Sequence, residues 1–347
     1  MGDQLEFPHV PPIDITRDQG VRYDVVAIGN ALVDVIAAVP DEFLVNENVV
    51  KGSMTLVDAQ RSAHLYSRIS NPTQTSGGSA SNTAYGLASL GGRAGFIGKI
   101  AHDELGRVFG ADMDKVGVGF HPGVNGSTEP TGRCIIAVTP DGQRSMSTFL
   151  GAASLLAPDD ISKEAVQAGA VLFLEGYLFD RDDAKAAFKV ASKYAHEAGR
   201  KVSLTLSDSF CVDRHREDFL DLILNDIDVL FCNEFELQSL YQTSYEEALE
   251  QLRNDCEFAA VTRDKRGSVV INGRDLVHIE PEPVERVVDA TGAGDQYAAG
   301  FLYGFTRGMA IEHCGRLGSL SASEVITHVG PRPLVQLSTL IPEHLRS

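Results

Sequence analysis

From Val25 onward the chain alternates short apolar runs with stretches of helical periodicity. Val25 to Ile28, Ala170 to Leu174, Lys201 to Leu206, Val229 to Cys232 and Phe258 to Thr262 have the length and apolar, β-branched content of strands buried on both faces. Helical spacing fills the intervals, at Thr83 to Leu90, Asp182 to Ala198, near Arg214 to Leu224, from Glu234 to Leu252, and at Ile311 to Val329. Strands that alternate with helices predict an α/β fold with a mostly parallel central sheet and helices on both of its faces. Two shorter strands, Ser268 to Ile271 and Leu276 to Ile279, follow the last of the apolar runs.

A second pattern interrupts the first. Cys134 to Val138 and Arg144 to Phe149 alternate about a Pro140-Asp141-Gly142 turn, which predicts a hairpin. Asp41 to Leu56 is irregular, with strand-like pieces at Asn48-Val49-Val50 and Ser53 to Leu56. The segment from Asp41 to Leu56 is therefore expected to be part of a small appended sheet within one domain. Residues 1–20 are polar and proline-bearing and read as a poorly ordered leader.

Charge narrows the partners. The 347 residues carry a formal net charge of −18, whereas nucleic acids and anionic membranes demand a basic footprint. Five scattered cysteines, Cys134, Cys211, Cys232, Cys256 and Cys314, have no metal or redox spacing and read as reduced. The first residues lack a signal-peptide pattern, and the sequence has no apolar run of about 18 residues. The expectation is a cytoplasmic protein, monomeric or homodimeric, with no nucleic-acid or membrane partner. Asn125-Gly126-Ser127 is then turn chemistry rather than a glycosylation site.

The chemistry concentrates in Asp289-Ala-Thr-Gly-Ala-Gly-Asp295. Val287 and Val288 lead into it and helical spacing (Tyr297, Phe301, Leu302, Phe305) leads out, so Gly292 to Gly294 opens a helix. First-turn amides lack intrahelical partners and form an anion site with the helix dipole. A carboxylate in that turn is ordinarily dipole compensation. Beside an anion cradle, Asp295 can also take a proton from a hydroxyl that attacks phosphorus. Elsewhere, Asp34 interrupts an apolar stretch, either as a capped or half-exposed acid or as an acceptor for two substrate hydroxyls. Asn233 and Glu236 follow a strand end and fit a capping box as well as a ligand-facing role.

The Asp289 to Asp295 run resembles the second motif of the ribokinase-like carbohydrate and nucleoside kinases, with Ala290 where Thr is more usual. Gly77-Gly78-Ser79-Ala80-Ser81-Asn82, continuing through Phe96 to Ile100 and Asp103 to Gly106, resembles the first motif of the same family. The resemblance implies a ribokinase-like fold over about 22–335, in which segments of about 35–60 and 120–150 join in the small sheet as a lid over the substrate, and an ATP-dependent kinase. It implies that Asp295 is the catalytic base and that the amides of Gly292, Ala293, Gly294 and Asp295 stabilise the transferring phosphoryl group. It places Asn30, Asp34, Gly77, Gly78 and Asn82 around the acceptor, and Asn233, Thr262, Gly267 and the lid's Arg144 around ATP, with Glu236 organising Mg2+. Asp264 stands where the family more often has glycine after Thr262, and Arg144 reads equally as a solvated surface residue. Potassium activation near Asp289 and Thr291 stays open. P-loop, dinucleotide and protein-kinase motifs are absent, and His102, His196 and His313 sit at no metal-ligand spacing. The runs around Gly29 to Asp34 and Thr131 to Gly151 are most similar to the adenosine kinase branch, with a ribose or fructose kinase as the rival and a non-catalytic binding protein further off. On that reading Tyr177, Leu178, Phe179 and Phe149 are candidate surfaces for a nucleoside base, each also eligible for the core.

Overall fold

The structure is a computed structural model that describes residues 20–123 and 126–345. Apart from Gly20, the expected leader lies outside the described residues, as does Asn125. Among the described residues a large sheet of nine strands runs in the order Asp275–Ile279, Ser268–Asn272, Phe258–Thr262, Val229–Asn233, Lys201–Thr205, Gly169–Glu175, Tyr23–Ile28, Ala94–Gly98 and Gly119–Pro122. Its last seven strands are parallel and the first two close it antiparallel. This is the expected α/β sheet of the ribokinase-like fold.

Pleating sorts the strand Tyr23–Ile28 between two cores. Val26 and Ile28 pack with Phe188, Phe219, Leu237 and Leu249 from the helices of one face, and Val25 and Ala27 pack with Leu87, Phe109, Phe301 and Leu317 on the other. Along the sheet the chain moves one way from Tyr23–Ile28 to Ala94–Gly98 and the other way from Gly169–Glu175 onward. The strand order therefore reverses between Tyr23–Ile28 and Gly169–Glu175, and a crevice at the carboxyl ends of such strands is the preferred ligand site of open α/β sheets.

Five strands form the small sheet, in the order Met54–Leu56, Arg144–Phe149, Gly132–Val138, Leu32–Ala38 and Thr73–Gly77. It reaches beyond the expected segments, because Thr73–Gly77 supplies one edge, whereas Gly119–Pro122 extends the large sheet instead. Asp41–Asn46 is a helix rather than irregular chain, and Asn48-Val49-Val50 forms no strand. The sequence signal there is weak, since the helix has six residues, no side-chain N-cap and one buried residue, Leu44. Glu234 to Leu252 is two helices, Glu234–Tyr241 and Tyr245–Asp255, divided where Gln242 adopts φ +54°.

Candidate active site

A cleft of about 890 Å³ lies between the carboxyl edge of the large sheet and one face of the small sheet. It is lined by Asn30, Asp34, Gly78, Asn82, Arg144, Asn233, Glu236, Thr262 and the turn from Gly292 to Asp295. Gly77 and Gly267 stand behind its wall. A Cβ on Gly77 would come within 2.5 Å of the Asp34 carboxyl, so this glycine makes room for the acid. Gly267, at φ +74°, closes a tight turn by donating to the Asp264 carbonyl at 3.0 Å and does not reach the cleft. Asp264 keeps a glycine-like φ of +53° although it is not glycine.

The floor is the start of the helix Ala293–Phe305. Gly292 caps it at φ +80°, with Pro331 where a Cβ would stand, 2.6 Å away, so neither conformation nor space admits a side chain. The amides of Gly292, Gly294 and Asp295 have no acceptor among the described residues, while that of Ala293 donates to the Ala290 carbonyl at 3.2 Å. The expected cradle therefore consists of three free amides rather than four. Asp295 accepts from Ser79 Oγ at 2.6 Å and Asn82 Nδ2 at 3.1 Å. Burial pushes its carboxyl up to about 6, against the pull of those bonds and of the Arg332 charge.

The opposite wall holds Asp34, on Leu32–Ala38. No group among the described residues hydrogen-bonds its carboxyl, which burial raises to about 6 while Arg332 and Arg144 pull it down. Its surroundings are the apolar face of the small sheet, where Leu32, Met54, Leu56, Ile136, Met146 and Leu150 line the cleft. The four expected base surfaces are largely elsewhere. Leu178 and Phe179 are core, with Phe179 stacked 4.2 Å from Phe219, and Phe149 is buried off the cleft. Only Tyr177 of that set lines it. The 3-10 turn Gly176–Asp180 rotates its neighbours inward, which periodicity alone does not foresee.

Glu175 was not singled out in the sequence. It ends the strand beside Tyr23–Ile28, is 1% exposed, and clamps three donors: Asn30 Nδ2 at 2.7 Å, the Asn30 amide at 3.3 Å and the Ala80 amide at 2.8 Å. Burial raises its carboxyl to about 7, against the pull of these bonds. An acid closing an apolar run at the sheet's carboxyl edge was the available signal. The Asn30 side-chain oxygen, left over from this clamp, is buried and unpartnered.

Arg144 is nearly buried and its Nη1 meets the Asp289 carboxylate at 2.6 Å, so it is not a solvated surface residue. Burial pushes Asp289 up, but bonds from Thr291, Gly330 and Arg144 outweigh it and hold the carboxyl at about 2. Asn233 and Glu236 form a reciprocal capping box, with Asn233 Nδ2 2.6 Å from Glu236 Oε1 and the Asn233 amide 2.9 Å from Oε2. Burial nonetheless raises Glu236 to about 7, with Asp208 adding repulsion. No cluster of three acidic, histidine or cysteine ligands for a metal occurs among the described residues, and no helix there is long and apolar enough to cross a membrane.

The sequence pattern of the pfkB family carbohydrate kinases matches residues 45–337. The chain belongs to the pfkB family of carbohydrate kinases. It is a phosphotransferase with an alcohol acceptor. Among solved pfkB-type structures it is similar to the adenosine kinase from Sinorhizobium meliloti, with 48% identity and a TM-score of 0.83 over 92% of this chain and 98% of that one. A probable sugar kinase protein from Rhizobium etli CFN 42 is 46% identical, with a TM-score of 0.83 and the same coverage of 92% and 98%. The adenosine kinase of Saccharomyces cerevisiae is 26% identical over 329 residues, covering 88% of this chain and 95% of that protein.

Proposed function

We propose that this pfkB kinase transfers the γ-phosphoryl group of ATP to the 5′-hydroxyl of a nucleoside, adenosine foremost. The observation that carries the reading is the pairing, across one cleft, of the unbonded Asp34 carboxylate and its apolar surround with Asp295 and the free amides of the Gly292 turn. A vicinal diol satisfies Asp34, and the unpartnered Asn30 oxygen accepts a further hydroxyl proton. A flat base then lies on Leu32, Ile136 and Met146, which a free sugar would leave uncovered.

In this reading Asp295 removes the proton from the 5′-hydroxyl as it attacks phosphorus, and the amides of Gly292, Gly294 and Asp295 receive the charge that develops on the transferring group. Asn233, Thr262 and Arg144 face the donor side. The acids Glu236 and Asp208 repel each other on that wall, a donor set that suits a cation held through its waters, and Glu236 would organise Mg2+ there with Asp208 nearby. When bound, that ion supplies neutralisation of phosphate charge. The resemblance to a Sinorhizobium adenosine kinase supports adenosine.

The test is a coupled ADP-release assay with adenosine, inosine, guanosine, cytidine, ribose and fructose at equal concentration. Adenosine gives the highest kcat/KM, followed by other purine nucleosides. Ribose or fructose ahead of every nucleoside replaces this reading with a sugar kinase.

A further inference from the structure

Arg332 lies in the segment after the last long helix, 250 residues from Asn82, yet its side chain is nearly buried at the site. Its Nε donates to Asn82 Oδ1 at 3.1 Å, Nη2 to Ser81 Oγ at 2.8 Å and Nη1 to Asp112 Oδ2 at 3.0 Å, and the guanidinium lies 4.7 Å from the Tyr85 ring. Asp112 also accepts from the Ser76 amide and hydroxyl, so the fork ties the strand that ends at Gly77 to the helices Ser79–Ser89 and Glu104–Lys115.

A guanidinium only donates, so Asn82 must turn its oxygen toward Arg332. The amide nitrogen is then left facing Asp295 Oδ2, at 3.1 Å. A flipped amide would oppose two lone-pair-bearing oxygens and remove one of the two side-chain donors on Asp295. We infer that Arg332 is a positioning residue, which turns the Asn82 amide toward Asp295 and supplies a fixed positive charge shared by Asp295 and Asp34. Other charged or titratable groups around Asp295 are Glu175 and Tyr177, both of whose pKa values its charge raises, with Asp34 and Arg144 across the cleft and Asp112 behind Arg332. Of these, Arg332 is the cation whose charge lowers both Asp295 and Asp34.

The inference rests on Asp295 acting as base, and the experiment separates the two. With acceptor and ATP saturating, kcat is measured from about pH 5 to about pH 9 for wild type, R332M, R332K, D112N and D295N, alongside thermal midpoints. In R332M kcat falls roughly 10- to 100-fold at neutral pH, and its acid limb moves up by about one pH unit because a carboxylate that loses a neighbouring cation binds protons more readily. R332K retains the charge but not the fork, so its limb stays near that of wild type while its plateau drops. D112N leaves the fork on Asn82 and removes an anion, so its plateau holds and its limb does not rise. An unshifted limb in R332M, an R332K plateau equal to wild type, or equal loss of kcat in D112N and R332M overturns the inference. Should R332M fail to fold, R332K and D112N decide by the same criteria. D295N with more than about a tenth of wild-type kcat removes the base itself and the reading on which this one rests.

Discussion

Arg144 on the small sheet and Asp289 ahead of the anion cradle form a nearly buried ion pair at 2.6 Å, and it joins the two walls of the cleft directly. Arg144→Gln leaves Asp289 with its bonds from Thr291 and Gly330, so the loss is smaller than for a stranded buried charge. It destabilises the protein by about 1–3 kcal/mol. Denaturant unfolding reads this as a lower midpoint at unchanged slope, and hydrogen exchange in Arg144–Phe149 speeds up relative to the large sheet. Equal protection in variant and wild type means that the pair does not hold the sheet.

Asp295→Asn keeps the size and the contacts of the first turn but cannot take a proton. The kcat falls about 100- to 10,000-fold, the usual range for loss of a general base. Binding of acceptor and ATP, measured by calorimetry, persists. A variant that binds neither would mark Asp295 as structural.

Asp34→Ala acts on the acceptor side. On the proposed reading this removes a carboxylate that accepts two hydroxyls, which weakens acceptor binding by roughly 1.5–3 kcal/mol, while the KM for ATP stays within error of wild type. Parallel rises in both KM values contradict the assignment.

Activity and stability respond oppositely to mild acid. Burial raises Asp34 and Asp295 to about 6 and Glu175 and Glu236 to about 7. On the proposed reading Asp295 is the base and is required unprotonated, so activity falls as pH drops through about 6. Folded-state pKa values above the unfolded ones mean that the native state binds more protons between the two, so these four groups contribute stability that is full below the unfolded values and is lost as pH rises through about 6 to 7. The unfolding midpoint of the ligand-free protein therefore rises as pH is lowered from about 8 toward about 5. A midpoint that stays level or falls over that interval would show that the buried acids are ionised throughout.

The elements set by local pattern were legible. Phe258–Thr262 has the predicted bounds, and Gly292 opens the predicted helix. The Asp41–Asn46 helix was not, because its content is carried by contacts in a small sheet and not by its own periodicity. At the site, the glycine turns and Asp34 announced themselves by residue type in an unusual setting. Glu175 and Arg332 did not, since their roles follow from partners 145 and 250 residues away. The apolar wall was misplaced for a related reason: strand pleating decides that Ile136 and Met146 face the cleft, while a 3-10 turn decides that Leu178 and Phe179 do not.

Three residues, Gly29-Asn30-Ala31, connect Tyr23–Ile28 of the large sheet to the strand that carries Asp34. That link has no slack, and its middle residue is pinned by the Glu175 clamp on Asn30. The register Asp34 to Cys134, Cys134 to Thr148 and Val138 to Arg144 makes the small sheet a stiff arm from this pivot to its tip. Asp34 at the pivot end and the Arg144 guanidinium at the far end are consequently carried on one hydrogen-bonded ladder, and a substitution that loosens either end is transmitted to the other.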